Sequence, residues 1–234
     1  MSTNNIYCFG DGYAHGHIWP EWPQILQALL PDHTVITVSG VGAGPEYLVT
    51  RFSQLLPMDG TVIFQWPQAD RFDKIIEDDN WMQQVTVDPV YHFNTYTDNN
   101  IKWWLSSAST NSNIVEYHKK YIQPTQANVR LKTYQILVRT ILENTKCSYV
   151  FTSTREQEIH SRLDSVIRGH EIQPSPLSHF NFLTEKIMPV LNLHNRHAQI
   201  LKDLITQQTW IPYDPNRDEI WTNLKDHFKT LSDK

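Results

Sequence analysis

Three short apolar runs alternate with two stretches of helical spacing in the first 66 residues, and each run ends where the chain must turn. The runs are Ile6-Tyr7-Cys8-Phe9, Thr34-Val35-Ile36-Thr37-Val38 and Thr61-Val62-Ile63-Phe64-Gln65-Trp66. The first stops at Gly10-Asp11-Gly12 and the second at Ser39-Gly40-Val41-Gly42-Ala43-Gly44. Between the first two lies the amphipathic stretch Gln24–Leu30, stopped by Pro31. Between the second and third, Pro45 suits a first helical turn, and Tyr47, Leu48, Phe52, Leu55 and Leu56 follow at helical spacing. Strands that are apolar almost throughout must be buried on both faces, and helical crossovers join such strands in parallel. The expected fold is therefore α/β, a three-layer sandwich around a central, mostly parallel sheet.

Beyond the third strand the pattern changes. From Lys74 to Thr125 the chain is rich in Asn, Asp, Trp and Tyr, including Trp81, Tyr91, Tyr96, Trp103 and Trp104. A structureless loop of that length is out of place in a compact domain, so a largely helical insertion or lid is expected over 74–125. One or two helices are expected from Ile114 to Asn144, broken near Pro124, with Val129, Leu137, Ile141 and Leu142 facing inward. Ser148-Tyr149-Val150-Phe151 reads as a fourth strand. Helices are expected after His179, near Ala198–Gln208, and from the Trp210–Pro215 hinge to Leu231. The whole of 1–234 reads as one domain.

Composition excludes several classes. Hydrophobic residues at 40% and charged residues at 19% suit a globular chain. A net charge of −5 gives no positive footprint for nucleic acid. No run of about twenty apolar residues could span a bilayer. Met-Ser-Thr-Asn-Asn at the start lacks the features of a secretory signal, so a cytoplasmic location is expected. Cys8 and Cys147 lie in apolar runs and read as small buried hydrophobes.

Two distant blocks carry a resemblance. Asn5-Ile6-Tyr7-Cys8-Phe9-Gly10-Asp11-Gly12-Tyr13-Ala14 resembles the Gly-Asp-Ser block that opens SGNH (GDSL) hydrolases. His170-Glu171-Ile172-Gln173-Pro174-Ser175-Pro176-Leu177-Ser178-His179 resembles their closing Asp-x-x-His-Pro block. The likeness extends over roughly Asn5–Asp73 and Cys147–Leu191. It implies an SGNH/flavodoxin-like sheet with a cleft at the carboxyl ends of its strands. Laid on the family pattern, Gly12 stands where the nucleophilic Ser belongs, His170 where the Asp belongs and Gln173 where the base His belongs. Acyl transfer by that route needs a hydroxyl, a base and a group that orients the base. A glycine has no oxygen to attack with, and a glutamine amide takes no proton at neutral pH. Gly42 or Gly44 matches the family's glycine block, while Gln65 and Gln68 stand in its Asn block, where an amide N–H can still serve an oxyanion. Asp11 is the carboxylate that braces the opening loop in that family, and His179 is the substitute base if the closing loop runs differently.

The resemblance thus implies a scaffold without its triad that holds a small molecule, glycan or protein in the cleft, with no cofactor. Two alternatives stay open: an active esterase, acyl (acetyl) hydrolase or transferase using displaced groups, and a metal-dependent enzyme or structural assembly protein. His15 and His17, with His170, His179 and Asp11, are the weak metal candidates; turn and capping roles are the plainer reading. His194 and His197, three apart on an expected helix, read as a solvated face. Ser175 and Ser178 flank His179, and Ser178 is well placed to cap a helix. Arg71 suits a carboxylate, phosphate or sulfate in the cleft, or an ion pair with Asp70 or Asp73.

Overall fold

The computed structural model describes residues 4–11, 20–40, 42–69, 71, 73–76, 95–98, 101–105, 123–153, 166–167, 175–211 and 214–233. Its main sheet joins β1 (Asn5–Gly10), β2 (Thr34–Ser39), β3 (Thr61–Trp66), β7 (Ser148–Ser153) and the two-residue β8 (Val166–Ile167). All neighbours in the order β2-β1-β3-β7-β8 are parallel. The chain steps from β1 outward to β2, then crosses back to β3 on the other side of β1. Because such crossovers are right-handed, the reversal puts the two connecting helices on opposite faces. One is α1 (Trp22–Leu29) and the other α2 (Pro45–Leu55).

Side-chain alternation along the strands fills both faces. Ile6, Cys8, Ile63 and Val150 pack with α1 and the C-terminal helices. Phe9, Val62, Phe64, Trp66 and Phe151 pack with α2 and α3 (Pro124–Glu143). The second face is an aromatic block: Phe64 stacks on Trp66 at 4.1 Å between centroids and on Phe9 at 5.1 Å, with Phe151 edge-on at 6.1 Å. Burying aromatics of this size dominates the local packing energy, and their offset and edge geometries add to it.

Local signals explain the element ends. Gln27 closes the α1–β2 turn: its Oε1 accepts from Val35 N–H at 2.9 Å and its Nε2 donates to His33 O at 2.8 Å. Asn195 Nδ2 donates to Leu29 O, meeting one of the carbonyls left over at the end of α1. The C-terminal layer comprises α4 (Pro176–Phe182), α5 (Ala198–Gln207) and α6 (Arg217–Ser232). From α4 the chain continues through a π-helical turn (Leu183–Ile187) and a short α-helical turn (Met188–Val190). Pro189 accounts for the widening, since it lacks an N–H and its ring crowds the carbonyl four residues back.

Three expectations need correction. Of the 74–125 stretch, the described residues before Gln123 form strands, not helices. β4 (Asp73–Ile76), β5 (Thr95–Asp98) and β6 (Ile101–Leu105) make a separate antiparallel sheet in the order β4-β6-β5. Asp98 pairs with Ile101, so only two residues, Asn99-Asn100, join β5 to β6. Thr, Tyr, Ile and Trp favour the pleated backbone. The inward face of α3 is Ala127, Leu131, Gln135, Val138 and Leu142, whereas Val129 and Leu137 are 61% and 45% exposed. A polar Gln135 on the buried stripe and apolar residues outside it obscure the helical phase. Finally, His194 and His197 precede α5 instead of lying on a helix, and His197 Nε2 accepts from Arg196 Nε at 2.8 Å. The expected helix from 114 to 122 lies outside the described residues. Among the described residues no helix is long and apolar enough to cross a membrane.

Candidate functional site

Polar burial is concentrated at one end of the main sheet. Asp11 follows β1, Ser39 ends β2, Gln65 lies one residue from the end of β3, and Thr152 and Ser153 end β7; all five are buried. Glu21 before α1, Asp73 at the start of β4 and His179 in the first turn of α4 are buried too. In open parallel sheets this is the end where ligands bind, at the point where strand order reverses, here between β1 and β3.

Asp11 is fully buried, and its Oδ2 accepts from Arg71 Nη1 at 2.5 Å. Among the described residues Arg71 thus pairs with Asp11, and its charge also acts on the Asp73 carboxyl, while the expected partner Asp70 lies outside the described residues. Arg71 is held from behind: its N–H donates to Gln68 O at 3.2 Å, and its own carbonyl accepts from Arg130 Nη2 at 2.6 Å. Arg130 also donates to Ala69 O at 3.0 Å and pairs with Glu46 Oε1 at 3.3 Å. The 67–73 segment is thus pinned by α3 below and by the β1 turn above.

Asp73 caps α2. Its carboxylate accepts from Gly44 N–H at 2.8 and 2.9 Å and from Tyr47 N–H at 2.9 Å, meeting helix amides that have no partner within the helix. In return Asp73 N–H donates to Glu46 Oε2 at 3.0 Å. A Cβ on Gly44 would come 2.9 Å from Asp73 Oδ2, so a larger residue there would displace the capping carboxylate. Burial pushes the Asp73 carboxyl up to about 7, with the Glu46 charge adding to the rise and the helix amides and Arg71 opposing it. Burial also raises Glu46, against the pull of Arg130. Glu21 is raised to about 7 by burial, with Arg217 opposing.

Gln65 lies on the α1 face of β3, in register with Thr152 of β7. Its Oε1 accepts from Trp22 Nε1 at 3.1 Å. An indole N–H can only donate, so this contact fixes which end of the amide is oxygen. Gln65 Nε2 is then a fully buried donor with no hydrogen-bond partner among the described residues. Such a group costs about 1–3 kcal/mol unless something supplies an acceptor.

The sequence-derived site residues divide accordingly. Asp11 and Arg71 meet, and Gln65 stands at the same end of the neighbouring strand. The Gly44 amide is committed to Asp73, while Gly42 takes a positive φ of 78° that suits glycine in the β2–α2 turn. Gln68 is half-buried beside Arg71. His179 is buried in α4, but the helix cap is Ser175, not Ser178: Ser175 Oγ accepts from Ser178 N–H at 3.1 Å and lies 3.1 Å from Ser178 Oγ. Gly12, His15, His17, His170 and Gln173 lie outside the described residues. Among the described residues no three His, Cys, Asp or Glu side chains are grouped to hold a metal ion. A groove of about 330 Å³ runs along the outer edge of β2, lined by Gln24, Val35, Thr37, Trp221 and Lys225 among others, and shares no residue with this site.

Sequence reasoning missed Glu46 and Arg130, and it saw Asp73 only as a partner for Arg71. The one available signal was Pro45-Glu46 after a glycine turn, an acidic first helical turn. Comparison with known proteins adds nothing: no family model, no curated protein and no solved structure matches the chain.

Proposed function

We propose that the chain is an SGNH hydrolase-like protein that holds a ligand at the carboxyl ends of β1 and β3 without hydrolysing it. The observation that carries this reading is the Gln65 amide. Trp22 holds its oxygen, and its NH2 donor is buried and, among the described residues, unpartnered where the strand order reverses. A ligand oxygen there, from a carbonyl, an acetyl group or a sugar, would satisfy it. Support for the architecture comes from the strand order: numbered along the main sheet it is 2-1-3-4-5, the flavodoxin-like arrangement. The buried Asp11, tied to Arg71, suits the bracing role that the resemblance implies. The position after Asp11 is Gly12, which offers no nucleophile.

One observation favours the second reading, an active esterase or acyl hydrolase through displaced groups. His179 is buried in the first turn of α4, and α4 packs against α1, whose Trp22 holds Gln65. The binding reading is tested by titrating N-acetylglucosamine into isotope-labelled protein while following the Gln65 side-chain NH2 resonances by NMR. A saturable shift that is lost for neighbouring backbone amides in Gln65→Met is expected. Shifts that leave Gln65, Asp11 and Thr152 untouched would place the ligand elsewhere.

A further inference from the structure

We propose that the Asp73 and Glu46 carboxyls form a proton-operated linkage that sets the position of the 67–73 segment and, through it, the Asp11–Arg71 pair. The inference rests on reading this end of the sheet as the ligand site and concerns how that site is regulated.

The geometry is a continuous relay. Asp73 is bonded to the first turn of α2 through the Gly44 and Tyr47 amides, and its own N–H is bonded to Glu46. Glu46 shares Arg130 with the carbonyls of Ala69 and Arg71. The Arg71 side chain then reaches Asp11. Among the described residues the linked set holds three carboxyls, Asp11, Glu46 and Asp73, and two guanidiniums, Arg71 and Arg130. One proton on the Asp73–Glu46 pair balances that set, and losing it leaves a buried excess of negative charge. The groups facing the pair are Arg130 and Tyr134 from α3, Arg71 from the 67–73 segment and the amides of α2; the Tyr134 hydroxyl is itself pushed up by burial and by Glu46.

Arg130 transmits the change. Its contact with Glu46, at 3.3 Å, is longer than its bonds to the two carbonyls, at 3.0 and 2.6 Å. When Glu46 and Asp73 both carry charge, the guanidinium is drawn toward Glu46 and its hold on the carbonyls weakens. The Asp73 carboxyl is fastened to α2 by the Gly44 and Tyr47 amides at 2.8 to 2.9 Å. Movement therefore passes to the segment carrying Arg71. Burial and the neighbouring Glu46 charge place the Asp73 transition at about pH 7.

The test is an NMR titration of the full chain from about pH 3 to about pH 9, following the backbone amides of Gly44 and Tyr47 and the Arg71 Nε–H. One inflection near neutrality, shared by all three probes, is expected. It should vanish in Asp73→Asn and move to lower pH in Glu46→Gln, where the like charge is removed; Glu46→Gln alone suffices if Asp73→Asn does not fold. Overturning results are an inflection confined to the ordinary carboxylate range, an Arg71 signal that does not follow the α2 amides, or an inflection that neither substitution moves. No ligand enters the experiment, so its failure leaves the binding reading standing, and a failed ligand titration leaves this one untouched.

Discussion

At the amino end of the main sheet, backbone-to-backbone bonds work beside the side-chain bonds of Asn4 and Gln27. Thr34 N–H donates to Asn4 O at 2.9 Å, Ser148 N–H to Gly60 O at 3.0 Å and Lys146 N–H to Met58 O at 3.0 Å. Gly60, at a φ of 95°, lets the chain pass so close to β1 that a Cβ would stand 2.6 Å from Asn5 O. At the carboxyl end, side chains do the holding: Asp11 to Arg71, Arg130 to two carbonyls, Asp73 to the start of α2, and Trp22 to Gln65. Both ends are closed, but among the described residues the carboxyls shifted from their ordinary pKa stand at the second end. Gln65 there keeps a buried amide donor without a partner, as Gln135 does within α3. Shifted titratable groups gathered at one end of a sheet mark it as a candidate site.

Four substitutions or conditions probe that contrast. Arg71→Ala leaves Asp11 buried without its cation and should cost about 3 kcal/mol in denaturant unfolding. A loss below about 1 kcal/mol would mean that the pair is not buried as described. The pH dependence comes next. Asp73, Glu46 and Glu21 all have folded-state pKa values above their unfolded ones, so the folded chain binds more protons. Their contribution is complete below about pH 4 and is lost as pH rises through about 7, so stability falls across that interval. A stability curve that rises between those limits would contradict the assignment.

At the other end of the sheet, Gly60→Ala meets both a disfavoured φ and the Asn5 carbonyl, and about 2 kcal/mol of destabilisation is expected. Ligand-induced shifts at Gln65 should survive it, whereas they should not survive Arg71→Ala. The smallest effect is expected from pairing Trp22→Phe with Gln65→Met. Removing both partners of a buried hydrogen bond, and the orphan donor with them, should cost less than Trp22→Phe alone, which leaves the Gln65 oxygen without its donor. Abolished ligand binding in a folded double variant would separate the amide's functional role from its structural one.

Much of the frame was legible because β1, β2, β3 and β7 are apolar on both faces and bounded by glycines, prolines or polar turns. That pattern admits few arrangements. The 74–125 stretch was misread because its strands are short, in a region dominated by polar and aromatic residues without alternation. The phase of α3 was misread because Gln135 faces inward. In the site, Asp11 stood out from the Gly-Asp turn and Gln65 from its place at a strand end. The Arg71–Asp11 pair spans 60 residues, and the Asp73–Gly44 contact spans 29. No periodicity links positions so far apart; only the strand crossover brings them together.

The proposed lack of an attacking oxygen is tested most directly by initial rates of p-nitrophenyl acetate hydrolysis, measured on the full chain and on Gly12→Ser. Under the SGNH-like reading both should run at the rate of the buffer blank, because that reading puts Gly12 in the nucleophile's place and Gln173 in the base's. Saturable turnover by the unaltered chain would show that displaced groups carry out the chemistry. Turnover appearing only in Gly12→Ser would show that a working proton acceptor survives beside it, and either result would contradict a cleft that binds without cutting.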